Sequence, residues 1–411
     1  MKQNAYVLGV GMTPFGKHLD KGLKELAIEA IDGALRDAGM DTSAIEAAYM
    51  GNAAAAVITG QVCIAGQAIL RTMGIGRIPV FNIENACATS STAFQQACTM
   101  VTAGIHDVVL AAGFEKLYHA DKMRTFSVFT GCVDVEDSDA VFRYLEESVK
   151  QSGANVDLSG AGASRSVFMD IYASWARQYM QKTGATAEHF AMISAKNSRH
   201  GARNPNAQFR QELTVEEVLS APMVADPLTR PMCSPIGDGA AAAIVVSEKI
   251  IRQMGISNPV KVEASLVASG YDYNSPGIEP LASWAANQAY EDAGIGPGDL
   301  SCVELHDASS PAELQYYEHL GLCPAGEGIR LLEEGATEIG GRIPVNTSGG
   351  LNRKGHPIGA TGLGQIHELT LQLRDQAGAR QVKGAKVALA ENGGGFIGQD
   401  GAAMAMTILS R

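Results

Sequence analysis

Four stretches hold residues whose types and spacing could do chemistry. In NIENACATSSTAFQQACTMVTAG (82–104), Cys87 sits among small residues where a helical stretch begins at Ala88 to Ser91. A thiol at a helix start meets the positive end of the dipole and free amides, both of which favour the nucleophilic thiolate. Ser90, Ser91 and Thr92 are natural capping residues there. Most cysteines are inert core fillers, the expectation for Cys98 further along, and local features leave Cys87 open between the two readings. In ELHDASSPAEL (304–314), His306 and Asp307 fall at the end of an expected strand, ahead of a helix that Ser309, Ser310 and Pro311 would start. Strand carboxyl ends collect functional groups in open α/β sheets, although a surface His-Asp pair needs no function. NTSGGLNRKGHPIGATGLGQIHELTLQLR (346–374) sets six glycines around His356, with a helix expected from about Ala360. Glycines pack poorly and build sites well, and imidazole carries protons near neutral pH. The stretch has neither a Walker A loop nor a GxGxxG following a strand. Finally, ALAENGGGFIGQDGAA (388–403) brings one carboxylate, Glu391, to three consecutive glycines.

These residues need a scaffold, and the pattern around them is that of an α/β protein. Strand-like runs (5–11, 107–113, 240–247, 386–390) alternate with helix-period segments such as LKELAIEAIDGALRDAGM (23–40), which Gly39 would stop. ALRDAGMDTSAIEAAYMGN (34–52) aligns without gaps to AYEDAGIGPGDLSCVELHD (289–307). A helix-turn-strand unit occurring twice predicts two similarly folded halves about a pseudo-two-fold axis. One half is expected over 1–117 and 236–258, the other over 259–411. Between them, 118–235 interrupts the alternation and reads as a mostly helical insertion capping the first half. It gathers Lys182, Lys196, Arg199, Arg203 and Arg210, which suit a solvated helical face or a phosphate-facing edge.

Composition sets the outer bounds. With 46% hydrophobic and 18% charged residues, the 411-residue chain can bury a large core and is not of disordered type. A net charge of −12 argues against nucleic acid or an anionic membrane as a partner. Seven cysteines, irregularly spaced and without CxxC, fit neither a disulfide framework nor a zinc site. With no signal peptide and no apolar run of membrane-spanning length, the expectation is a cytoplasmic protein.

Taken together, ENACATSS, SPIGDGAAAAIVVS, LHDASSPAEL, NTSGGLNRKGHPIGATG and the Gly-rich tail resemble the thiolase superfamily, in its sterol-carrier-protein-type branch. The resemblance implies a thiolase fold with duplicated βαβαβαββ halves, five αβαβα layers and an inserted loop domain. It implies acyl transfer on coenzyme A thioesters, with Cys87 acylated, His356 as proton acceptor and His306 in one oxyanion hole. The amides of Cys87 and Gly393 would form a second hole, with Asn392, Ser348 and Gly349 near the substrate. Walls of the acyl pocket would come from 118–170 and 271–280. Coenzyme A is then a substrate; no cofactor or metal is implied. A homo-oligomer is expected, with a small OB-fold and zinc-ribbon subunit as a possible partner. The departure from the family pattern is the second acid/base thiol, which members carry in HDCF or CxGGG. Those positions here are Ala308 and Glu391, leaving Glu391 as the candidate replacement, with retro-aldol cleavage of a hydroxyacyl-CoA or a non-catalytic subunit as alternatives.

Overall fold

The computed structural model describes residues 4–162, 164–271 and 279–411. Among the described residues there are eleven strands: β1 Ala5–Met12, β2 Ala47–Gly51, β3 Val80–Ile83, β4 Val108–Glu115, β5 Met223–Ala225, β6 Leu228–Thr229, β7 Gly239–Ser247, β8 Val260–Ser269, β9 Cys302–Glu304, β10 Val387–Ile397 and β11 Asp400–Ser410. β5 and β6 pair only with each other; the rest form one mixed sheet ordered β3-β2-β4-β7-β1-β8-β11-β10-β9.

That order contains one motif twice. In the first half β1 pairs antiparallel with β7, β7 antiparallel with β4, and β4 parallel with β2. In the second, β8 pairs antiparallel with β11, β11 antiparallel with β10, and β10 parallel with β9. Even the outermost strand β3 has a counterpart, a parallel bridge from Val303 to Val345. The halves join where β1 meets β8, from Ala5 opposite Val262 to Val7 opposite Val260. The repeated Asp-Ala-Gly has a structural reason: helices Leu23–Ala38 and Leu281–Ala293 both end at a left-handed glycine, Gly39 (φ 63°) and Gly294 (φ 68°). A side chain there would strain the turn that feeds the next strand.

Burial shows the layers. Leu26, Ile31, Ala34 and Leu35 seal the outer helix of the first half onto the alternate faces of β1, β4 and β7. Helices Thr89–Thr102 and Thr361–Leu373 form the middle layer: Phe94, Ala97, Leu363 and Leu369 pack with Val109 and Val245 of one half and Ala388 and Leu409 of the other. The outer layer of the second half is sealed by Ala285, Ala289, Leu314 and Tyr317. This is the five-layered αβαβα thiolase fold.

The insertion differs from expectation in where it sits. Its helices Val167–Thr183 and Ala187–Ala202 bury Ala176, Phe190 and Ile193 in the core of the second half, not the first. Polar contacts lock this docking: Lys196 Nζ pairs with Glu313 at 2.5 Å and donates to the Val345 carbonyl at 2.9 Å. His200 Nδ1 meets the Asn346 carbonyl at 3.0 Å. Of the basic group singled out in the sequence, Lys196 is thus buried, and Arg199 is paired with Glu338. Neither is a free phosphate ligand. Among the described residues, no helix is long and apolar enough to cross a membrane.

Candidate active site

Cys87 lies in a 3-10 turn, Ala86–Ala88, that leads directly into the helix Thr89–Thr102. The turn is tight enough to hold Ala86 at φ 46°, a strained value for a residue with a Cβ. Ser90 and Ser91 do not cap this helix; they bind across the seam between the halves. Leu363 N–H donates to Ser90 Oγ at 3.1 Å, and Asn392 Nδ2 donates to Ser91 Oγ at 3.0 Å and to the Cys87 carbonyl at 2.9 Å. The other half repeats the device: a 3-10 turn, Ile358–Ala360, opens the helix Thr361–Leu373 and carries His356 just ahead of it. Gly362 has no room for a side chain, since a Cβ there would stand 1.9 Å from Ser91 Oγ.

The duplicated turns bring nucleophile and base together. One donor atom from each of Cys87, His306 and His356 falls within 4.8 Å of the other two. His306 Nε2 and His356 Nε2 are 3.4 Å apart. Thr361 Oγ1 lies 3.1 Å from the Pro357 carbonyl, which takes its proton, so it accepts from His356 Nδ1 at 2.7 Å. This fixes the tautomer: Nδ1 holds the hydrogen and Nε2, on the side of His306, keeps its lone pair.

Electrostatics keep the site neutral. Burial lowers the His306 pKa to about 4, and burial, then His306 and Lys354, depress His356 well below its usual range. Cys87 is half-buried and lines a cavity, and desolvation raises its pKa well above the usual thiol value, with Cys132 and Glu115 adding to the effect. The amides of Gly395 and of Cys87 itself oppose this, but burial outweighs them. The helix start therefore does not by itself deliver a thiolate. A thiol beside a neutral imidazole waits for substrate.

All three groups face a cavity of about 860 Å³ between the insertion and the two halves, where Gly393, Gly394 and Gly395 also line the wall. The glycines belong to β10, which runs through them to Ile397. Gly394 allows a close approach, since a Cβ there would come within 2.5 Å of the Asn85 carbonyl. The remaining expected residues stand behind this wall. Glu391 is fully buried and does not line the cavity; its Oε2 accepts from His306 N–H at 2.8 Å, while Oε1 has no hydrogen-bond partner among the described residues. Burial raises its pKa to about 8, the amides of His306 and Gly393 only partly opposing. Asn392 acts on Cys87 through the backbone, as above. Ser348 and Gly349 lie away from the lining, Ser348 Oγ donating to Glu304 at 2.5 Å. Asp307 does not pair with the His306 ring; it accepts from Leu351 N–H at 2.7 Å and holds the turn that leads to His356. Of the expected pocket walls, the 118–170 segment contributes Phe126, Phe129 and Tyr144. Residues 272–278 lie outside the described residues.

Sequence reasoning missed three participants. Glu115, at the end of β4, accepts N–H bonds from Gly359 at 3.0 Å and Ala54 at 3.2 Å, tying the His356 loop to the half that carries Cys87. Cys132 of the insertion lines the cavity, with its thiol 3.9 Å from the Val128 carbonyl. Tyr172 lines it from helix Val167–Thr183. No spacing rule marks these, because each reaches the site only through tertiary packing.

The Thiolase, N-terminal domain family matches residues 5–249, and the family described as Thiolase C-terminal domain-like matches 277–411. The chain belongs to the thiolase superfamily. Within it, this thiolase is 37% identical to the benzoylsuccinyl-CoA thiolase subunit BbsB of Thauera aromatica, covering 93% of the chain and 92% of the relative. It is 37% identical to an acetyl-CoA acetyltransferase of Methanothermobacter thermautotrophicus, over 98% and 99%. Sterol carrier protein 2 of Homo sapiens is 37% identical, over 95% of this chain and 70% of its own, which places the protein in the sterol-carrier-type branch. Among solved structures, the Ltp2-ChsH2(DUF35) aldolase shares the fold, with a TM-score of 0.78 at 24% identity over 100% of this chain and 98% of that one.

Proposed function

We propose that this thiolase cleaves a 3-oxoacyl-CoA with free coenzyme A, or runs the reverse condensation, through an acyl-Cys87 enzyme. The observation that supports this best is the convergence of Cys87, His306 and His356 within 4.8 Å at one end of the cavity. His356 Nε2 takes the proton of Cys87, and the thiolate attacks the 3-oxo carbon. The amides of Cys87 and the 393–395 glycine run receive the oxygen of the attacked carbon. Once protonated, His356 Nε2–H joins His306 Nε2–H, two donors that converge on the thioester oxygen of the departing enolate. Acyl-CoA donors should leave a mass adduct on Cys87 that disappears in Cys87→Ala; no adduct across a broad donor panel refutes the reading.

Glu391 takes the part of the second proton carrier in this scheme. It holds a proton at neutral pH but stands behind the cavity wall, so it works through a group that touches substrate. Glu391→Gln should suppress cleavage while Cys87 still acylates. A second reading, retro-aldol cleavage, is favoured by the lack of a thiol at both Ala308 and Glu391; turnover independent of free coenzyme A would select it. BbsB is named as a subunit and the Ltp2 aldolase contains a second protein, ChsH2(DUF35). By analogy we propose that this chain works as a homo-oligomer with a small partner subunit, in the cytoplasm.

A further inference from the structure

The cavity wall carries two phenols, those of Tyr172 and Tyr316, without a hydrogen-bond partner among the described residues. Buried hydroxyls are normally paired, so a phenol aimed into a cavity marks a place for an acceptor on the ligand. Tyr172 is the better placed. It is 7% exposed, and its ring is fixed edge-on to Trp175 with centroids 5.1 Å apart. It lines the same cavity as Cys87, and burial, then charge on Cys87 and Glu391, pushes its pKa well above the usual phenol value. Tyr316 responds to Glu391, Tyr172 and Asp400 but not to Cys87. Cys132 also lines the cavity, but its thiol faces the Val128 carbonyl.

On the acyl-transfer reading above, we infer that Tyr172 is a catalytic residue, the group that exchanges a proton with the α-carbon of the thioester. Cys87 thiolate forms a bond to C3, and the C2–C3 bond breaks with its electron pair passing to C2. The Tyr172 hydroxyl gives its proton to C2, completing the shorter acyl-CoA. The tyrosinate then takes the proton of the incoming coenzyme A thiol, whose sulfur attacks the acyl-enzyme. Released Cys87 thiolate recovers its proton from His356. Every proton is returned, and no oxidant or further reactant enters. A phenol suits both transfers, since it is a weak acid facing a strongly basic carbanion and, once ionised, a base strong enough for a thiol.

The test separates the two steps. Wild-type enzyme with a saturated acyl-CoA in heavy water should show the Cys87 mass adduct and also deuterium entering the α-position of the acyl-CoA. Tyr172→Phe removes one oxygen that has no protein partner, so folding and iodoacetamide alkylation of Cys87 should be unchanged. In that variant the adduct should form and deuterium entry should fall about a hundredfold or more. Adduct formation with deuterium entry at the wild-type rate overturns the assignment, as does loss of exchange in Cys132→Ser but not in Tyr172→Phe. Wild-type protein showing neither adduct nor exchange brings down the acyl-transfer reading and this one with it.

Discussion

The hydroxyl of Thr361 decides which nitrogen of His356 is the base, and Thr361→Val removes that hydroxyl while keeping the side chain's shape. In the native site Thr361 Oγ1 accepts from His356 Nδ1 at 2.7 Å and donates to the Pro357 carbonyl at 3.1 Å, all in fully desolvated surroundings. Valine leaves a buried N–H unpaired, which costs about 1–3 kcal/mol. The imidazole can escape part of that cost by moving its hydrogen to Nε2, the nitrogen that must receive the Cys87 proton. At 1.36 kcal/mol per tenfold, the base-competent tautomer drops by about 10- to 100-fold, and so should acylation. Single-turnover acylation of Cys87, followed by intact mass, reads this directly. Thermal melting should register a loss of about 1–3 kcal/mol in the same variant. Thr361→Ser retains an oxygen at the same place and should acylate within a few-fold of wild type. The tautomer argument fails if Val acylates at the wild-type rate, or if Ser is as poor as Val, which would leave Thr361 with a packing role only.

Two further outcomes follow from the electrostatics. Because burial holds the Cys87 thiol above 9, iodoacetamide alkylation should rise about tenfold per pH unit from 6 to 9; a plateau reached by pH 7 would mean a resting thiolate. Glu391 is raised to about 8, so the folded protein binds a proton that the unfolded chain releases near 4.5. Its contribution to stability is present at low pH and is lost as pH rises from about 4.5 to 8, by on the order of 4 kcal/mol. Glu391→Gln should therefore melt higher than wild type at pH 8.5, with the advantage shrinking toward pH 5; a gap independent of pH would show that Glu391 is ionised throughout.

The parts of this protein legible in its sequence are those fixed by local chemistry. Asp-Ala-Gly at 37–39 and 292–294 announces a helix stop, and two copies of it announce two halves. His356 is legible because glycine crowds it for close backbone approach. The placement of the insertion was not legible, since the amphipathic face of 187–202 would suit either half. The buried Lys196–Glu313 pair and the packing of Phe190 and Ile193 show which half receives it. The state of Cys87 was left open by the sequence for a related reason. A dipole is visible in a sequence, but the burial that overrides it is built by Phe129, Val128 and Ile236 from distant segments. Likewise the strand through ENGGG depends on β11, which pairs with it from Val387–Ser410 to Ile397–Asp400.

The duplication also explains why the site sits on the seam. Each half offers the same element, a 3-10 turn entering a middle-layer helix, and the pseudo-symmetry points both turns at one place. Used alone, either turn would present a side chain to the opposite half's core. Used together, one can carry the thiol and the other the imidazole, so the distance between them is set by seam contacts and not by a flexible loop. Those contacts are few and specific: Gly359 N–H on Glu115, Leu363 N–H on Ser90, and Asn392 on Ser91 and the Cys87 carbonyl. Glu115 is the most exposed to perturbation of these, because burial raises its pKa to about 7 while its four backbone donors pull the other way. Protonation there would weaken the acceptor that holds the His356 loop, and the geometry of nucleophile and base would loosen before either of them changed its own charge.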